Sequence, residues 1–241
     1  MTGYNEAFII DGNKKEALIE IDPKSEEIIR PILRGRDIKR YGYEYQDLWL
    51  IATFPSLKID IENYQAVKQH LLSFGYDRLK QTGGENARKK TNNQWFETQD
   101  SISYWEDFNK QKLIWLCISD KAVFSVDEEG MLCNNAAYFI STEYSKYLCC
   151  VMNSRIIEWY FDKICTTTGV GTNKWEKFVV EMIPIPKITI SQQKPFEELI
   201  EKLSRAKTIK SAQIGNIEKE ISKLVATLYN LTDEETIVLN L

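Results

Sequence analysis

The sequence predicts an α+β chain in which short strands and helices are mixed up to about residue 190 and helices alone follow. Leu113–Ile118 is a continuous apolar run of strand length. Between residues 144 and 164, apolar side chains recur every three or four positions, which predicts an amphipathic helix. After Pro195 the strand patterns end and only helical spacing continues. We therefore divide the chain into residues 1–190 and residues 191–241.

The first seventy-odd residues contain two strand-like runs, a buried strand and a helix. Ala7–Ile10 and Ala17–Ile21 are predicted strands joined by a turn at Asp11–Asn13, so we expect a hairpin there. Leu48–Ile51 is a candidate buried strand. Ile59–Phe74 has helical spacing and is followed by a glycine that can end the helix.

The second half continues from the long amphipathic helix into a polar loop at Thr166–Trp175. Ile183–Pro186 is predicted to be extended, because its two prolines are incompatible with a helix interior. Two helices follow, marked by the apolar positions within Phe196–Leu203 and Ile214–Leu228. Thr232–Glu235 has the pattern of a capping box and begins a last helical turn.

Composition limits the class of protein. The chain has 241 residues with 31 Lys and Arg against 35 Asp and Glu, a net charge of −4. This balance excludes the globally basic surface of a non-specific nucleic-acid coat, but it allows a local basic face. No apolar run approaches the ~20 residues of a membrane span, and the first residues lack the pattern of a secretory signal. The expected location is the cytoplasm.

Catalytic and metal-binding patterns are missing from the sequence. The five cysteines form no C-x-x-C pair, so we expect small apolar core residues and no zinc site or disulfide framework. His70 is the single histidine, which leaves no partner for common hydrolytic machinery. Gly169–Gly171 lacks the spacing of a phosphate-binding loop, and no N-P-P-Y motif for gripping a flipped base occurs. We predict no catalytic residue, no metal ligand and no cofactor for this chain.

Positive charge is concentrated in a few places on this acidic chain. Arg30–Tyr41 holds five cations against one acid, and Lys80–Asn93 is polar, basic and glycine-bearing. Structural alternatives stay open for each segment. Arg36 and Asp37 can pair within the first, the second can be a mobile solubilising loop, and Thr166–Lys174 can be a plain connection. We expect the tryptophans at 95, 105, 115, 159 and 175 to belong to the core rather than to a base-stacking surface.

Several segments, in order and spacing, resemble the TaqI-like C-terminal specificity domain of adenine-specific DNA methyltransferases and type IIG restriction–modification enzymes. The most recognisable is Ile28–Ile38, with its R-P-I-L-R-G-R-D-I pattern. The resemblance spans nearly the whole chain. Its other segments are Gly3–Ile10, Lys90–Glu97, Lys112–Trp115, Met152–Ser154, Ile183–Pro186 and Leu228–Leu231.

The resemblance implies a mixed-sheet DNA target-recognition domain at residues 1–190 and a C-terminal helical segment at 191–241. In such enzymes the catalytic modules lie N-terminal to this region, so this chain alone is not expected to be an enzyme. S-adenosylmethionine and Mg²⁺ are expected only for those missing modules. The implied partners are double-stranded DNA and a methyltransferase or nuclease module, joined in cis or acting in trans.

Candidate DNA contacts follow from the basic and polar segments. Lysines and arginines neutralise phosphates, while arginine and asparagine present the donor geometry that reads guanine and adenine edges. We predict contacts from Arg34, Arg36, Lys39, Arg40, Arg88, Lys89, Lys90, Asn92, Asn93, Thr168, Asn173 and Lys174.

Two other classes of function stay open. The helices from Phe196 to Leu228 can dock or dimerise, as in the related type I specificity subunits, which makes the chain a protein–protein module. The chain can also be an enzyme in its own right, although the missing motifs disfavour this.

Overall fold

The chain forms two units that interleave along the sequence in the computed structural model, which describes residues 2–239. The described residues of unit 1 fall within Met1–Leu33, Tyr45–Asn109 and Gly130–Asn135. The described residues of unit 2 fall within Arg34–Glu44, Lys110–Glu129 and Ala136–Leu241. The mixture of helices and strands confirms the α+β class.

Short elements dominate the first half. In chain order they are α1 (Asn5–Phe8), β1 (Ile9–Asp11), α2 (Gly12–Ile21), β2 (Ile29–Leu33), β3 (Ile38–Lys39), β4 (Gly42–Tyr43), β5 (Leu48–Ile51), α3 (Gln65–Leu72) and α4 (Tyr76–Leu79). Short 3-10 helices lie at Pro23–Ile28, Gly35–Asp37, Pro55–Leu57, Ile61–Asn63 and Trp105–Asn109.

The second half begins with strands and ends in longer helices. In chain order its elements are β6 (Lys112–Leu116), β7 (Phe124–Asp127), β8 (Leu132–Cys133), β9 (Ala137–Ser141), α5 (Ser145–Met152), α6 (Arg155–Ile164), β10 (Thr166–Thr167), β11 (Asn173–Lys174), α7 (Lys177–Val180), α8 (Ile190–Thr208), α9 (Ile214–Leu228) and α10 (Asp233–Val238).

Unit 1 is built on a mixed sheet with the strand order β1-β5-β2-β8. β5 pairs antiparallel with both β1 and β2, and β8 adds to β2 in parallel. Parallel pairing needs a distant return of the chain, which explains why residues 130–135 join this unit. Its core includes Phe8, Leu50, Phe54 and Leu71, all fully buried.

Unit 2 contains an antiparallel sheet with the order β7-β6-β9. The helix α5 packs on β6 and β7, and Phe161 stacks on Trp175 with ring centroids 3.7 Å apart. Lys112 and Asp127 form an ion pair that is wholly buried in this sheet. The predicted strand at Leu113–Ile118 is confirmed in position as β6.

The hairpin expected at residues 7–21 is wrong. Its second strand is the helix α2, because Asp11 caps it by accepting a hydrogen bond from the Lys14 N–H at 2.7 Å. Lys, Glu, Ala and Leu, which favour helix, fill most of the following turns. Local capping therefore overrides the turn pattern of Asp11–Asn13, and only β1 remains as a strand.

The long helix expected at residues 144–164 is two helices, α5 and α6, separated at Asn153 and Ser154. The Asn153 amide donates to the carbonyls of Cys149 and Phe124, both at 2.9 Å. Ser154 caps α6 by accepting from the Ile157 N–H. Short polar side chains that bond backbone groups offer an alternative to helix, which explains the break.

The helical tail belongs to the same core as the strands of unit 2. Phe196, Leu203, Ile221 and Val225 are buried in one cluster with Phe124. The two units of the structure therefore do not separate at residue 190, where the sequence predicted a division. A separate functional role for residues 191–241 stays a prediction. The capping box at Thr232 is confirmed. Across residues 2–239, every helix is too short or too polar to cross a membrane.

Candidate nucleic-acid interface

The first basic segment opens with an arginine that serves the local fold. Arg34 donates from Nε and Nη2 to the two carboxylate oxygens of Asp37, at 2.9 and 2.8 Å, and its backbone N–H donates to the same carboxylate. Burial alone would raise the pKa of Asp37, but the hydrogen bonds and charge of Arg34 outweigh it and lower that pKa. Asp37 therefore pairs with Arg34. The structural alternative considered from the sequence, in which Asp37 pairs with Arg36, is wrong.

Gly35 lies between these partners for a steric reason. A Cβ atom there would stand 2.7 Å from the Cβ of Ala136, so only glycine allows this close packing. Its φ is not in the left-handed region. The glycine of the R-G-R-D pattern therefore fixes where the turn Gly35–Asp37 packs within unit 2.

Arg40 is turned toward the protein. Its Nη2 donates to the Asn153 carbonyl at 2.5 Å, and its Nη1 lies 3.8 Å from the Glu158 carboxylate. The Lys207 ammonium donates to the Arg40 carbonyl. These contacts hold Arg40 beside the junction of α5 and α6, so its guanidinium supports the fold of unit 2.

Arg36 and Lys39 are the exposed cations of this segment. The Lys39 ammonium donates to the Arg36 carbonyl at 2.6 Å, a contact that leaves its charge uncompensated. Among the described residues, neither side chain forms an ion pair. The charged groups of Arg36 and Lys39 are therefore available to bind an anionic partner on the surface of unit 2.

In unit 1, Arg88 is the centre of the second basic segment, and it is buried. Only 2% of the residue is exposed. Its guanidinium donates to the carbonyls of Leu79, Thr2, Glu97 and Trp95 at 2.7 to 2.8 Å. Burial lowers the pKa of Arg88 to about 10. This guanidinium is a structural group and not a surface donor, contrary to the expectation for Arg88.

The residues that follow Arg88 divide into exposed and engaged groups. Lys89, Lys90 and Asn92 are exposed. The Asn93 amide donates to the carbonyls of Thr98 and Gln99 at 3.2 and 3.0 Å, so it is committed to the loop itself. Arg88 and Asn93 thus hold the backbone of a segment whose surface presents two lysines and one asparagine amide.

The polar loop expected at Thr166–Trp175 is a hairpin formed by β10 and β11 in unit 2. Thr168 accepts a hydrogen bond from the Thr172 N–H through its Oγ1 at 3.2 Å. The Asn173 amide donates to the Asp162 carboxylate at 2.6 Å. Lys174 is half-buried and pairs across the hairpin with Thr166.

The structure distributes the predicted site residues over both units. Arg36, Lys39 and the hairpin belong to unit 2, while Lys89, Lys90 and Asn92 belong to unit 1. Val170, an apolar residue exposed at the hairpin tip, is not among the site residues predicted from the sequence. An aliphatic residue between two glycines is a signal that could have found it.

Of the five tryptophans that we expected in the core, two confirm that role. Trp115 and Trp175 are buried. Trp159 is 52% exposed, because it lies on the outer face of α6, where the Lys163 ammonium stands 5.7 Å from its ring. Trp95 and Trp105 are half-buried. Residues 2–239 contain no group of three or more His, Cys, Asp or Glu side chains placed to hold a metal ion.

Comparison with solved structures shows the same fold in a larger protein. The type IIL restriction–modification enzyme MmeI, solved in complex with DNA, aligns with a TM-score of 0.64 and 13% identity over 99% of this chain and 33% of its own. The type IIG restriction endonuclease BpuSI aligns with a TM-score of 0.46 and 14% identity over 93% of this chain and 28% of its own. The chain thus spans about a third of MmeI.

Sequence comparison gives the family. No curated protein matches this chain. The family model described as the TaqI-like C-terminal specificity domain matches residues 30–185, which include the basic segments of both units, β6 and the hairpin. This chain belongs to the family of TaqI-like C-terminal specificity domains.

Proposed function

We propose that this chain is the sequence-specific duplex DNA recognition domain of a restriction–modification enzyme. It positions an adenine-specific methyltransferase or endonuclease core that lies outside these 241 residues. The observation that carries the proposal is the match of a specificity-domain family over residues 30–185. The likeness in fold to MmeI, an enzyme solved with DNA, supports it.

The exposed cations supply affinity in this proposal. Arg36 and Lys39 in unit 2, and Lys89 and Lys90 in unit 1, carry charges that no described ion pair neutralises. Each contact with a phosphate releases counterions and fixes the domain on the duplex. The exposed Asn92 amide has the donor and acceptor pair that recognises an adenine edge in the major groove.

Three arginines act indirectly in this proposal. Arg34, Arg40 and Arg88 hold the backbone of the segments that present the exposed residues. We assign them no contact with DNA. In this proposal S-adenosylmethionine and Mg²⁺ serve the catalytic modules, and no step of the reaction is assigned to this chain.

A binding titration at two salt concentrations, roughly 50 and 200 mM, tests the proposal with duplexes of varied sequence. We expect affinity to fall steeply with salt and to differ between sequences. Arg36→Ala and Lys39→Ala should each reduce the salt slope by about one. Lys219→Ala, which removes an exposed charge from α9, is the matched control. Absence of binding, or binding that is insensitive to salt, would contradict the proposal.

A second candidate function is self-association through the helical tail. An open groove runs along α8 and α9. In it, Leu199 and Leu224 are flanked by acidic and basic side chains in equal number. The groove is lined by Pro195, Glu198, Leu199, Lys202, Glu220, Lys223, Leu224 and Thr227. A symmetric dimer places the same patch on both copies, so the acidic side chains of one copy can face the basic side chains of the other. Sedimentation of the full chain and of a Leu199→Glu variant tests this, and a wild-type chain that is monomeric at high concentration rejects it.

A further inference from the structure

The tip of the β10–β11 hairpin presents an apolar side chain to solvent. Val170 is 90% exposed. Turn positions are usually held by Gly, Asn, Asp or Ser, whose backbone preferences suit them, and a β-branched residue lacks that advantage. Because Val170 also adds almost nothing to the core of unit 2, neither turn chemistry nor packing explains it.

The hairpin holds this side chain on a defined support. The Gly171 N–H donates to the Thr168 carbonyl at 3.0 Å, which closes the turn, and the Thr168 N–H donates to the Thr172 carbonyl at 2.8 Å. At the base, the Ser119 N–H donates to the Asn173 carbonyl at 3.1 Å. Val170 is therefore carried by a hydrogen-bonded projection.

The base of the projection is anchored in the core of unit 2. The Trp175 N–H donates to the Cys117 carbonyl at 2.8 Å, and its indole Nε1 donates to the Ser119 carbonyl at 3.0 Å. The same indole stacks on Phe161. An anchored hairpin of this kind can present a side chain to a ligand with little loss of conformational entropy on binding.

The two glycines beside Val170 are not equivalent. Gly171 has a φ of +89°, in the left-handed region that favours glycine. Gly169 is not in that region, and a Cβ atom built there meets nothing within 4 Å. The fold therefore does not require glycine at 169. Because glycine has no side chain, the backbone at residue 169 can approach a ligand closely.

We propose that Val170 is a specificity-determining residue that packs against the C5 methyl group of a thymine in the major groove. This inference rests on the proposed DNA-recognition function. Apolar contact with that methyl group is how an aliphatic side chain distinguishes thymine, since the methyl group is absent from the other bases. The exposed hydroxyls of Thr166 and Thr167 at the base of the hairpin are donors suited to the neighbouring phosphates.

The test begins with selection of binding sites from a randomised duplex library by the full 241-residue chain. Each thymine of the selected site is then replaced by uracil, which removes only the methyl group. At one position we expect affinity to fall about four- to fifteenfold, the range for one or two methyl groups left exposed. Val170→Ala should show the same loss on the thymine duplex and no further loss on the uracil duplex.

The matched control is Val238→Ala, because Val238 is a 75% exposed valine on α10. This variant should bind both duplexes as the wild type does. A Val170→Ala variant with unchanged affinity overturns the inference. So does an equal loss on thymine and uracil duplexes, which would indicate an apolar wedge that does not read the methyl group. If the wild type selects no site at all, the DNA-recognition proposal itself fails.

Discussion

Arg34, Arg40 and Arg88 direct their guanidinium groups toward carboxylates and backbone carbonyls of their own unit. Arg36 and Lys39, a few positions away from two of them, extend into solvent. An arginine has five donors in a fixed fork, so it serves equally to bind phosphates or to join several carbonyls. At this scale, the carboxylates and carbonyls within reach decide which role each cation has.

Arg88→Ala tests the structural role of the most buried of these groups. Four carbonyls in unit 1 would lose their donor, and each buried unsatisfied acceptor is costly, so we expect the free energy of unfolding to fall by about 3 kcal/mol or more. Urea denaturation measures it. Lys89→Ala, one position along, should change stability by no more than about 0.5 kcal/mol. An Arg88→Ala variant as stable as the wild type would contradict the buried placement.

His70 gives unit 1 a pH dependence of known sign. The ring is buried, and its Nε2 lies 3.0 Å from the Ala7 carbonyl oxygen. Burial lowers the pKa of His70, so the folded state prefers the neutral ring. In the unfolded chain the pKa of a histidine is about 6.5. The stability that the neutral ring contributes is therefore present above about pH 6.5, and it is lost as pH falls through the lower pKa of the folded state.

His70→Gln keeps an amide donor for the Ala7 carbonyl and removes the titration. We expect the wild type to lose stability between about pH 7.5 and about pH 5.5, and the variant to lose less over the same interval. Urea denaturation at both pH values provides the comparison. Because His70 is the only histidine in the chain, equal losses in the two proteins would show that its protonation is not linked to folding.

Among the elements, the junction of α5 and α6 shows how two polar residues reshape an apolar pattern. The three- and four-residue spacing continues through residues 144–164, yet Asn153 and Ser154 bond the backbone and divide the helix. The Asn153 side chain also accepts a hydrogen bond from the Phe124 N–H of β7 at 3.0 Å. The break therefore ties a helix end to the sheet of unit 2.

Ser154→Ala removes the N-cap of α6, and we expect it to lower the free energy of unfolding by about 1 kcal/mol. The control is Ser222→Ala within α9, where the hydroxyl only bonds the Glu218 carbonyl of the preceding turn. That change should be close to neutral, since alanine is the better helix former. Thermal or urea unfolding distinguishes the two, and equal effects would argue against a capping role for Ser154.

For the whole molecule, the helical tail is part of the core of unit 2. Phe196, Leu203, Ile221 and Val225 are buried together with residues of α5 and of the sheet. We expect a chain that ends at residue 190 to leave this apolar surface open to water and to lose the cooperative folding of unit 2.

Amide hydrogen exchange measures this for each unit. In the truncated chain, the amides of β6 in unit 2 should lose their protection, whereas those of β2 in unit 1 should keep it. The full chain is the control. Retained protection of β6 would instead support a tail that is separable from the recognition domain, as the division at residue 190 implies.

The sequence by itself determined the α+β class, the strands β5 and β6, the helical tail and the family. Each of these depends on local periodicity or on an ordered set of motifs. It also determined that cations gather near residues 30–41 and 80–93. Local reasoning failed at α2 and at the division of the long helix, where single side-chain caps outweighed the wider pattern.

Only the tertiary structure decided which of the predicted contact residues face solvent. Arg88 and Lys89 are adjacent, yet one is enclosed by carbonyls from Thr2 and Trp95 and the other is exposed. Residue type specifies a charge and a set of donors, but the fold decides which acceptors reach them; those of Arg88 lie between 7 and 86 positions away in the chain. The same reason applies to Val170, whose exposure depends on a hairpin anchored through Trp175.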